Sequence, residues 1–113
     1  MLISELGTEL GLACVQAVFP DRPLAGAYTS DLLSDVMANA GSGAALVTIQ
    51  AHRNTIAVAS LTGIAAVVVC NGREPPGDML EAAREEGIAV FSTGQSQFEV
   101  SGRLWDALRR DGA

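Results

Sequence analysis

Residues 65–70 read AAVVVC, and this stretch is the strongest indication of the fold. It is a continuous apolar run rich in β-branched valine, with no polar position between Ala65 and Cys70. A strand with one face in water alternates polar and apolar residues, whereas a continuous apolar run is typical of a strand covered on both faces. The stretch therefore predicts a central strand of a parallel sheet, packed between helices.

Strands and helices alternate along the chain on either side of this stretch. A strand is predicted at 45–50 (ALVTIQ) before it and another at 88–92 (IAVFS) after it. Helices are predicted between and after these strands, at 53–62, 78–87 and 96–110. Such alternation is typical of right-handed βαβ crossovers, which lay parallel strands side by side with helices on both faces of the sheet.

The first forty residues predict further elements with a less regular pattern. They are a helix at 3–10, strands within 12–18 (LACVQAV) and 24–30 (LAGAYTS), and a helix from Ser30 to Ala40. Ser30 is predicted to cap that helix, because a serine hydroxyl can accept hydrogen bonds from the first free backbone N–H groups. The whole chain therefore predicts a single α/β domain over residues 1–113. We expect a three-layer sandwich with a mostly parallel sheet of about four to five strands and helices on both faces.

Helical periodicity also predicts which helix faces are buried. In the last helix the core side is predicted to carry Val100, Leu104, Ala107 and Leu108. In the helix at 53–62 one side is predicted to carry Ile56, Ala57, Ser60 and Leu61. Aromatic residues make up only 4% of the chain, so small aliphatic side chains must fill the core. Such a core would fit a chain that buries further surface against a second subunit.

Charge and composition exclude several classes of partner. The net charge of −6 opposes binding to nucleic acid, whose phosphates attract Lys and Arg, and to anionic membrane surfaces. The longest apolar stretch, 56–70, is shorter than the roughly 20 residues that cross a bilayer. The first residues lack the charge order of a signal peptide. We therefore expect a soluble, cytoplasmic protein with no nucleic-acid or membrane partner.

The sequence contains no recognisable catalytic or metal-binding set. Cys14 and Cys70 are far apart in apolar runs, which predicts two buried thiols and no metal site. His52 is the only histidine, and as a capping or packing residue it needs no ligand, although a ligand contact is the alternative. The GSG at 41–43 is not followed by the Lys-Ser/Thr of a phosphate-binding P-loop, so kinase chemistry is disfavoured. No cofactor is predicted.

Polar segments follow four of the predicted strands. They are TSD (29–31), QAHRN (50–54), CNGRE (70–74) and STGQS (92–96). Ligands of open parallel sheets bind at the carboxyl ends of the strands, and helix N-termini there favour anions. The candidate ligand-binding residues are Ser30, Asp31, His52, Asn54, Asn71, Gly72, Ser92 and Thr93. The alternative is that these residues are ordinary caps and turns.

Two carboxylates, Asp31 and Asp35, are four residues apart in SDLLSDVM (30–37). On one helix they would lie together opposite the apolar side, with Asp31 in the first turn, where a carboxylate favours the helix dipole. Asp35 is expected to face water or a second subunit. Trp105 is the other interface candidate, because it lies on the last helix among arginines and either anchors that helix or marks a subunit contact.

Several strings together resemble the DRTGG domain family, which is similar to the N-terminal domain of HPr kinase/phosphorylase. They are DRPLAGAYTSDLLSDVMANA (21–40), VTIQAHRNTIAVASL (47–61), VVVCNGREPP (67–76) and FSTGQSQFEVSGRL (91–104). The signature begins at Asp21 and Arg22, but Ala27 occupies the position of the second glycine. The resemblance covers nearly the whole chain and lacks the kinase half with its P-loop.

This resemblance implies a regulatory or adaptor module that forms dimers. DRTGG domains resemble accessory parts of phosphotransacetylases and of pyrophosphatases with CBS domains, and some stand-alone members are encoded near iron hydrogenases. One hypothesis is a non-catalytic homodimeric sensor that binds a nucleotide or small anionic metabolite at the strand ends. Another is a pure protein–protein interaction module linked to hydrogenase or to acetate and energy metabolism. A third, an enzyme, would need Asp31, Asp35 and His52 to share a metal.

Overall fold

The chain forms a five-stranded sheet with helices on both faces, as seen in a computed structural model that describes residues 1–112. The strands are β1 (Ala13–Gln16), β2 (Gly26–Thr29), β3 (Ala44–Thr48), β4 (Ala66–Val69) and β5 (Ala89–Ser92). Their order across the sheet is β1-β5-β4-β3-β2. Strands β2 to β5 are parallel, and β1 pairs antiparallel with β5. The predicted mostly parallel sheet is confirmed.

Five α-helices surround the sheet. They are α1 (Leu6–Leu10), which continues a 3₁₀ turn at Ile3–Glu5, α2 (Leu33–Asn39), α3 (Arg53–Thr62), α4 (Gly77–Glu86) and α5 (Gln97–Arg110). None of the helices in this described part of the chain has both the length and the apolarity to cross a membrane.

The two faces of the sheet bury separate apolar layers. On one face α1 and α5 pack on side chains such as Val68 and Phe91, and on the other α2, α3 and α4 pack on side chains such as Val67. Every residue of β3 and β4 is buried, because alternate side chains of each strand enter opposite layers. The three-layer prediction from AAVVVC is therefore confirmed.

The start of α2 differs from the prediction. The helix begins at Leu33, and the extended residue before it is Leu32, so Ser30 does not cap it. The Ser30 hydroxyl instead accepts a hydrogen bond from the backbone N–H of Leu32 at 3.2 Å. Ser30 and Asp31 consequently belong to the loop at the end of β2, and Asp31 is not in a first helical turn.

The buried side of α3 also differs from the prediction. Its buried residues are Thr55, Ile56, Val58 and Ala59. Ala57 and Ser60 are exposed, and Leu61 is 77% exposed. The prediction was right for Ile56 and wrong for the other three residues, because the buried side of the helix includes the polar Thr55. Thr55 tolerates burial because its hydroxyl donates a hydrogen bond to the carbonyl of Gln50 at 2.8 Å.

Candidate functional site

The four polar segments lie side by side at the carboxyl ends of the strands, because they follow four adjacent parallel strands. We call this end of the sheet the rim and define it by residues 29–31, 48–54, 70–74 and 92–97. Backbone hydrogen bonds join neighbouring segments: Ser30 N donates to Val47 O at 3.2 Å, and Asn71 N donates to Gln95 O at 2.9 Å. The predicted convergence is therefore seen in the structure.

Asp31 forms the centre of the rim. Its Oδ1 atom accepts three hydrogen bonds, from Thr48 Oγ1 at 3.1 Å, Ile49 N at 2.9 Å and Gln97 Nε2 at 2.9 Å. Its backbone carbonyl accepts a fourth, from Gln50 Nε2 at 2.9 Å. The half-buried side chain thus joins the ends of β2 and β3 to the start of α5. Its Oδ2 atom accepts no hydrogen bond from residues 1–112 and remains a free acceptor at the rim.

Asp35 does not share this environment. Its carboxylate accepts a hydrogen bond from the Tyr28 hydroxyl at 2.8 Å and another from Asn39 Nδ2 at 2.9 Å. The Tyr28 hydrogen bond, followed by those of other side chains, lowers the pKa of Asp35, and the same hydrogen bond raises the pKa of Tyr28. The predicted pairing of Asp31 and Asp35 on one helix was wrong, because Asp31 lies in the loop. Asp35 instead ties α2 to β2 within the chain.

His52 caps α3, which agrees with the capping interpretation. Its Nδ1 atom accepts a hydrogen bond from the backbone N–H of Asn54 at 3.0 Å. An acceptor at Nδ1 carries no proton, so the neutral ring holds its proton on Nε2. Both His52 and the Asn54 side chain are exposed at the rim.

The remaining candidates form the turns after β4 and β5. Asn71 and Gly72 both adopt positive φ, 61° and 67°, and the Gly72 N–H donates to Thr93 O at 2.9 Å. The Thr93 hydroxyl accepts from Gln95 N at 3.1 Å, and Ser92 is the last residue of β5. The backbone N–H groups of Asn71 and Gly72 are therefore already bonded, so these residues can contact a ligand through their other groups.

The rim also contains polar residues that the sequence did not single out: Thr48, Gln50 and Gln97. Thr48 is fully buried, and it was detectable as a polar residue between the apolar Val47 and Ile49 of the predicted strand. Gln97 had no such signal, because its contact with Asp31 joins residues 66 positions apart.

Of the four helices that follow the rim strands, α3 and α5 have N-termini capped by their own side chains, whereas no side chain among residues 1–112 caps α2 or α4. His52 occupies that of α3, and a capping box between Ser96 and Glu99 closes that of α5. The backbone and then the side chain of Ser96 lower the pKa of Glu99, which holds a negative charge at this helix start. An anion at the start of α3 or α5 would therefore need positive charge from elsewhere.

The two cysteines lie in different environments. Cys70 is buried at the rim end of β4, where burial and then the charge of Asp31 raise its pKa to about 11. Cys14 is exposed on β1, contrary to the prediction of two buried thiols, because β1 is an edge strand. Among residues 1–112, no three His, Cys, Asp or Glu side chains lie close enough together to hold a metal ion.

Trp105 lies outside the rim, in a groove between α5 and β2. Its side chain is 72% exposed, so it does not anchor the helix to the core. The groove reaches the rim at Thr29, whose Oγ1 lies 2.7 Å from the Oγ of Ser101 in α5. The two interface candidates, Asp35 and Trp105, therefore lie on the two helices that flank β2.

No protein-family model matches the chain, and no curated protein matches it. A solved structure does: the CBS and DRTGG domains of the regulatory region of Clostridium perfringens pyrophosphatase, complexed with the activator diadenosine tetraphosphate. The TM-score is 0.72 at 14% sequence identity, and the likeness covers 90% of this chain and 45% of that chain. This chain thus corresponds to less than half of that regulatory region. At this identity the likeness shows the fold, and this chain has a DRTGG-like α/β fold.

Proposed function

We propose that this chain is a non-catalytic regulatory module that binds a nucleotide or small anionic ligand at the rim and works as a homodimer. The observation that carries the proposal is the geometry of Asp31. Its Oδ1 atom accepts three hydrogen bonds, while its Oδ2 atom accepts none from residues 1–112 and stays free at the rim. A preorganised acceptor of this kind suits recognition of a ligand N–H or O–H group.

A nucleotide fits this rim better than a bare inorganic anion. The Asp31 carboxylate would repel a phosphate beside it, but it can accept hydrogen bonds from a base amino group or a ribose hydroxyl. Phosphates would then interact with Arg53 and Arg73, which are exposed in the adjacent rim segments. Asn54 and Asn71 add donors and acceptors of the kind that read a base edge. The structurally similar pyrophosphatase region, which is complexed with diadenosine tetraphosphate, supports this class of ligand.

A regulatory role is favoured over catalysis by the state of the reactive groups. A thiol whose pKa is raised to about 11, as at Cys70, is protonated near neutral pH and is a poor nucleophile. His52 already uses Nδ1 as a helix cap. We expect the module to act in the cytoplasm and to pass on ligand binding through a protein partner.

Titration with nucleotides tests the proposal directly. Calorimetry and thermal unfolding should be measured with AMP, ADP, ATP, diadenosine tetraphosphate, acetyl phosphate and inorganic phosphate. Binding to the folded state stabilises it by about 2.7 kcal/mol at a ligand concentration of 100 Kd. A raised Tm with at least one adenine nucleotide is expected, and no stabilisation by any of these ligands would contradict the proposal.

An Asp31→Asn variant locates the ligand. Asparagine keeps an acceptor for Thr48, Ile49 and Gln97 but removes the charge and replaces the free acceptor by a donor. We expect nucleotide affinity to fall at least tenfold, or about 1.4 kcal/mol. Glu85→Gln, in the last turn of α4, makes the same change in net charge and should leave the affinity unchanged. Equal affinities of Asp31→Asn and wild type would show that the ligand binds elsewhere.

The second candidate function is a pure interaction module, and the exposed Trp105 favours it. In that case the rim is structural and no nucleotide binds, while a protein partner covers the groove. Protection of Trp105 from quenching by acrylamide on addition of a purified partner, in the absence of nucleotide, would support this function.

A further inference from the structure

A groove of about 760 Å³ runs between α5 and the segment that contains β2. Its walls include Ala25, Ala27, Phe98, Gly102 and Trp105. The chain has five aromatic residues, and two of them are exposed here: Phe98 is 88% exposed and Trp105 is 72% exposed. Aromatic side chains concentrate in the centres of protein interfaces, so their exposure in one groove marks a contact surface.

Gly102 gives independent support for a contact outside the monomer. It lies inside α5, where glycine costs about 1 kcal/mol relative to alanine. Apart from its chain neighbours and the backbone of its own helix, no heavy atom among residues 1–112 lies within 4 Å of where its Cβ would be, so the packing of the chain does not require a glycine there. The bare backbone permits close approach by another molecule. Phe98 and Trp105 lie about one helical turn before and after it, so this face of α5 alternates large, small and large residues.

Strand β2 provides a second element of the same surface. It is an edge strand that pairs with β3 in regular register from Gly26 to Thr29 and leaves its other side open within residues 1–112. Its sequence, GAYT, has no charge or proline, which are common devices against edge-to-edge pairing. The opposite edge, β1, does carry a register irregularity, between Cys14 and Gln16. The β2 edge is thus the less protected of the two.

We propose that a second copy of this chain covers the β2 edge and the α5 groove, which forms a two-fold homodimer. Antiparallel pairing of β2 with β2 of the second copy brings the two α5 helices side by side and antiparallel on one face of a joined sheet. With the two-fold axis near Gly102, Phe98 of each copy meets Trp105 of the other. A large–small–large pattern is complementary to itself in this arrangement, as an isologous interface requires.

The charge of the groove favours a second copy as the occupant, and the area that a dimer needs is compatible with a chain of this size. Of the described residues that line the groove, Arg109 alone is charged, and it pairs with Asp106 at 3.2 Å. On a chain of net charge −6, two copies therefore repel each other little through this side. A stable interface buries about 800 Å² of accessible surface per subunit, which is about a seventh of the 5667 Å² that the chain exposes.

The surface is adjacent to the rim. Thr29 lines the groove and directly precedes Ser30 and Asp31, and its hydroxyl contacts Ser101 of α5. This inference rests on the homodimer part of the proposed function and names its surface, so ligand binding and dimerisation must be measured separately.

Sedimentation velocity over a wide concentration range tests the interface. Wild-type protein is expected to be a dimer that dissociates on dilution, with the emission of Trp105, the single tryptophan, shifting to longer wavelength. Gly102→Leu and Trp105→Ser are each expected to raise the dimer dissociation constant at least tenfold. Gly102→Leu keeps a good helix former and should leave the circular dichroism spectrum unchanged. Leu61→Ser, on the exposed side of α3, is the control that should dimerise as wild type does.

Two results would overturn the inference. One is a wild-type protein that stays monomeric up to millimolar concentration, which would leave the groove to a different partner. The other is a dimer that neither Gly102→Leu nor Trp105→Ser weakens, which would locate the interface elsewhere. Nucleotide titration of the monomeric variants separates the proposals: retained binding leaves the rim site intact, and a dimer without nucleotide binding contradicts the rim site alone.

Discussion

At the scale of single residues, the two aspartates of SDLLSDVM have different roles. Asp31 organises the rim because its carboxylate satisfies a buried hydroxyl, Thr48, and a backbone N–H at the end of β3. Asp35 joins a helix to a strand through Tyr28. Removing one partner of such a contact lowers the free energy of unfolding by more than the hydrogen bond contributes, when the polar group that remains is buried without a partner. The sequence analysis placed both residues on one helix, with Asp31 as a candidate ligand contact and Asp35 as an interface candidate.

The Tyr28–Asp35 contact predicts a specific pH dependence of stability. Since the pKa of Asp35 is lowered in the folded state, the contact stabilises the protein above the ordinary carboxyl pKa, near 4, and this stability is lost as the pH falls through the lowered value. In Tyr28→Phe the pKa of Asp35 should rise, which a carboxyl-carbon NMR titration measures. Wild type should be more stable than the variant at pH 6 in urea, and the difference should narrow towards pH 3. A pH-independent difference would contradict the expectation.

At the scale of elements, glycines determine how three of the helices end and turn back towards the strands that follow them. Each of α1, α3 and α4 ends at a glycine in the left-handed conformation, Gly11, Gly63 and Gly87. At Gly63 a second constraint applies, because an added Cβ would lie 2.6 Å from Ser42 Oγ in the segment that enters β3. The close approach of these two segments places the end of α3 beside the start of β3, where Gly43 N donates a hydrogen bond to Gly63 O at 2.7 Å.

Alanine at Gly63 should therefore cost more than alanine at Gly11. Both glycines end a helix, with φ of 77° and 69°, so both substitutions impose roughly 1–2 kcal/mol of left-handed backbone strain. At Gly11 the nearest heavy atom to an added Cβ is 3.8 Å away, which is an ordinary contact. Urea unfolding of the two variants measures the difference. Equal losses in the free energy of unfolding would show that Ser42 moves aside without cost.

At the scale of the whole molecule, two apolar layers stabilise the fold, and an apolar surface of α5 is left uncovered. Leu104 is fully buried between α5 and the sheet, whereas Phe98 and Trp105 on the same helix point away from the core. One side of α5 thus packs in the core, and another side of the same helix is an exposed apolar surface. Its remaining exposed positions include Arg103 and Arg110.

Two matched leucine substitutions compare the stability lost at a buried position with that lost at an exposed one. Leu104→Ala should lower the free energy of unfolding by about 2–5 kcal/mol, a large part of the 5–15 kcal/mol that is typical of a folded domain. Leu61→Ala removes the same atoms from a side chain that is 77% exposed, and should change stability by less than about 0.5 kcal/mol. Chemical denaturation at low protein concentration measures both. Similar losses for the two would contradict the assignment of the buried side of α3.

The sequence by itself determined the layers, because burial on both faces requires the continuous apolar runs of β3 and β4, and the order of elements requires parallel neighbours. It also determined that the polar segments meet at the carboxyl ends of the parallel strands. Only the tertiary structure decided that Asp31 bonds to Gln97, that Asp35 bonds to Tyr28, and that Thr55 is buried instead of Leu61. These contacts depend on how distant segments approach, and local periodicity carries no information on that approach. Likewise, the unpaired side of β2 and Gly102 form one surface only because α5 packs beside β2, which the sequence does not show.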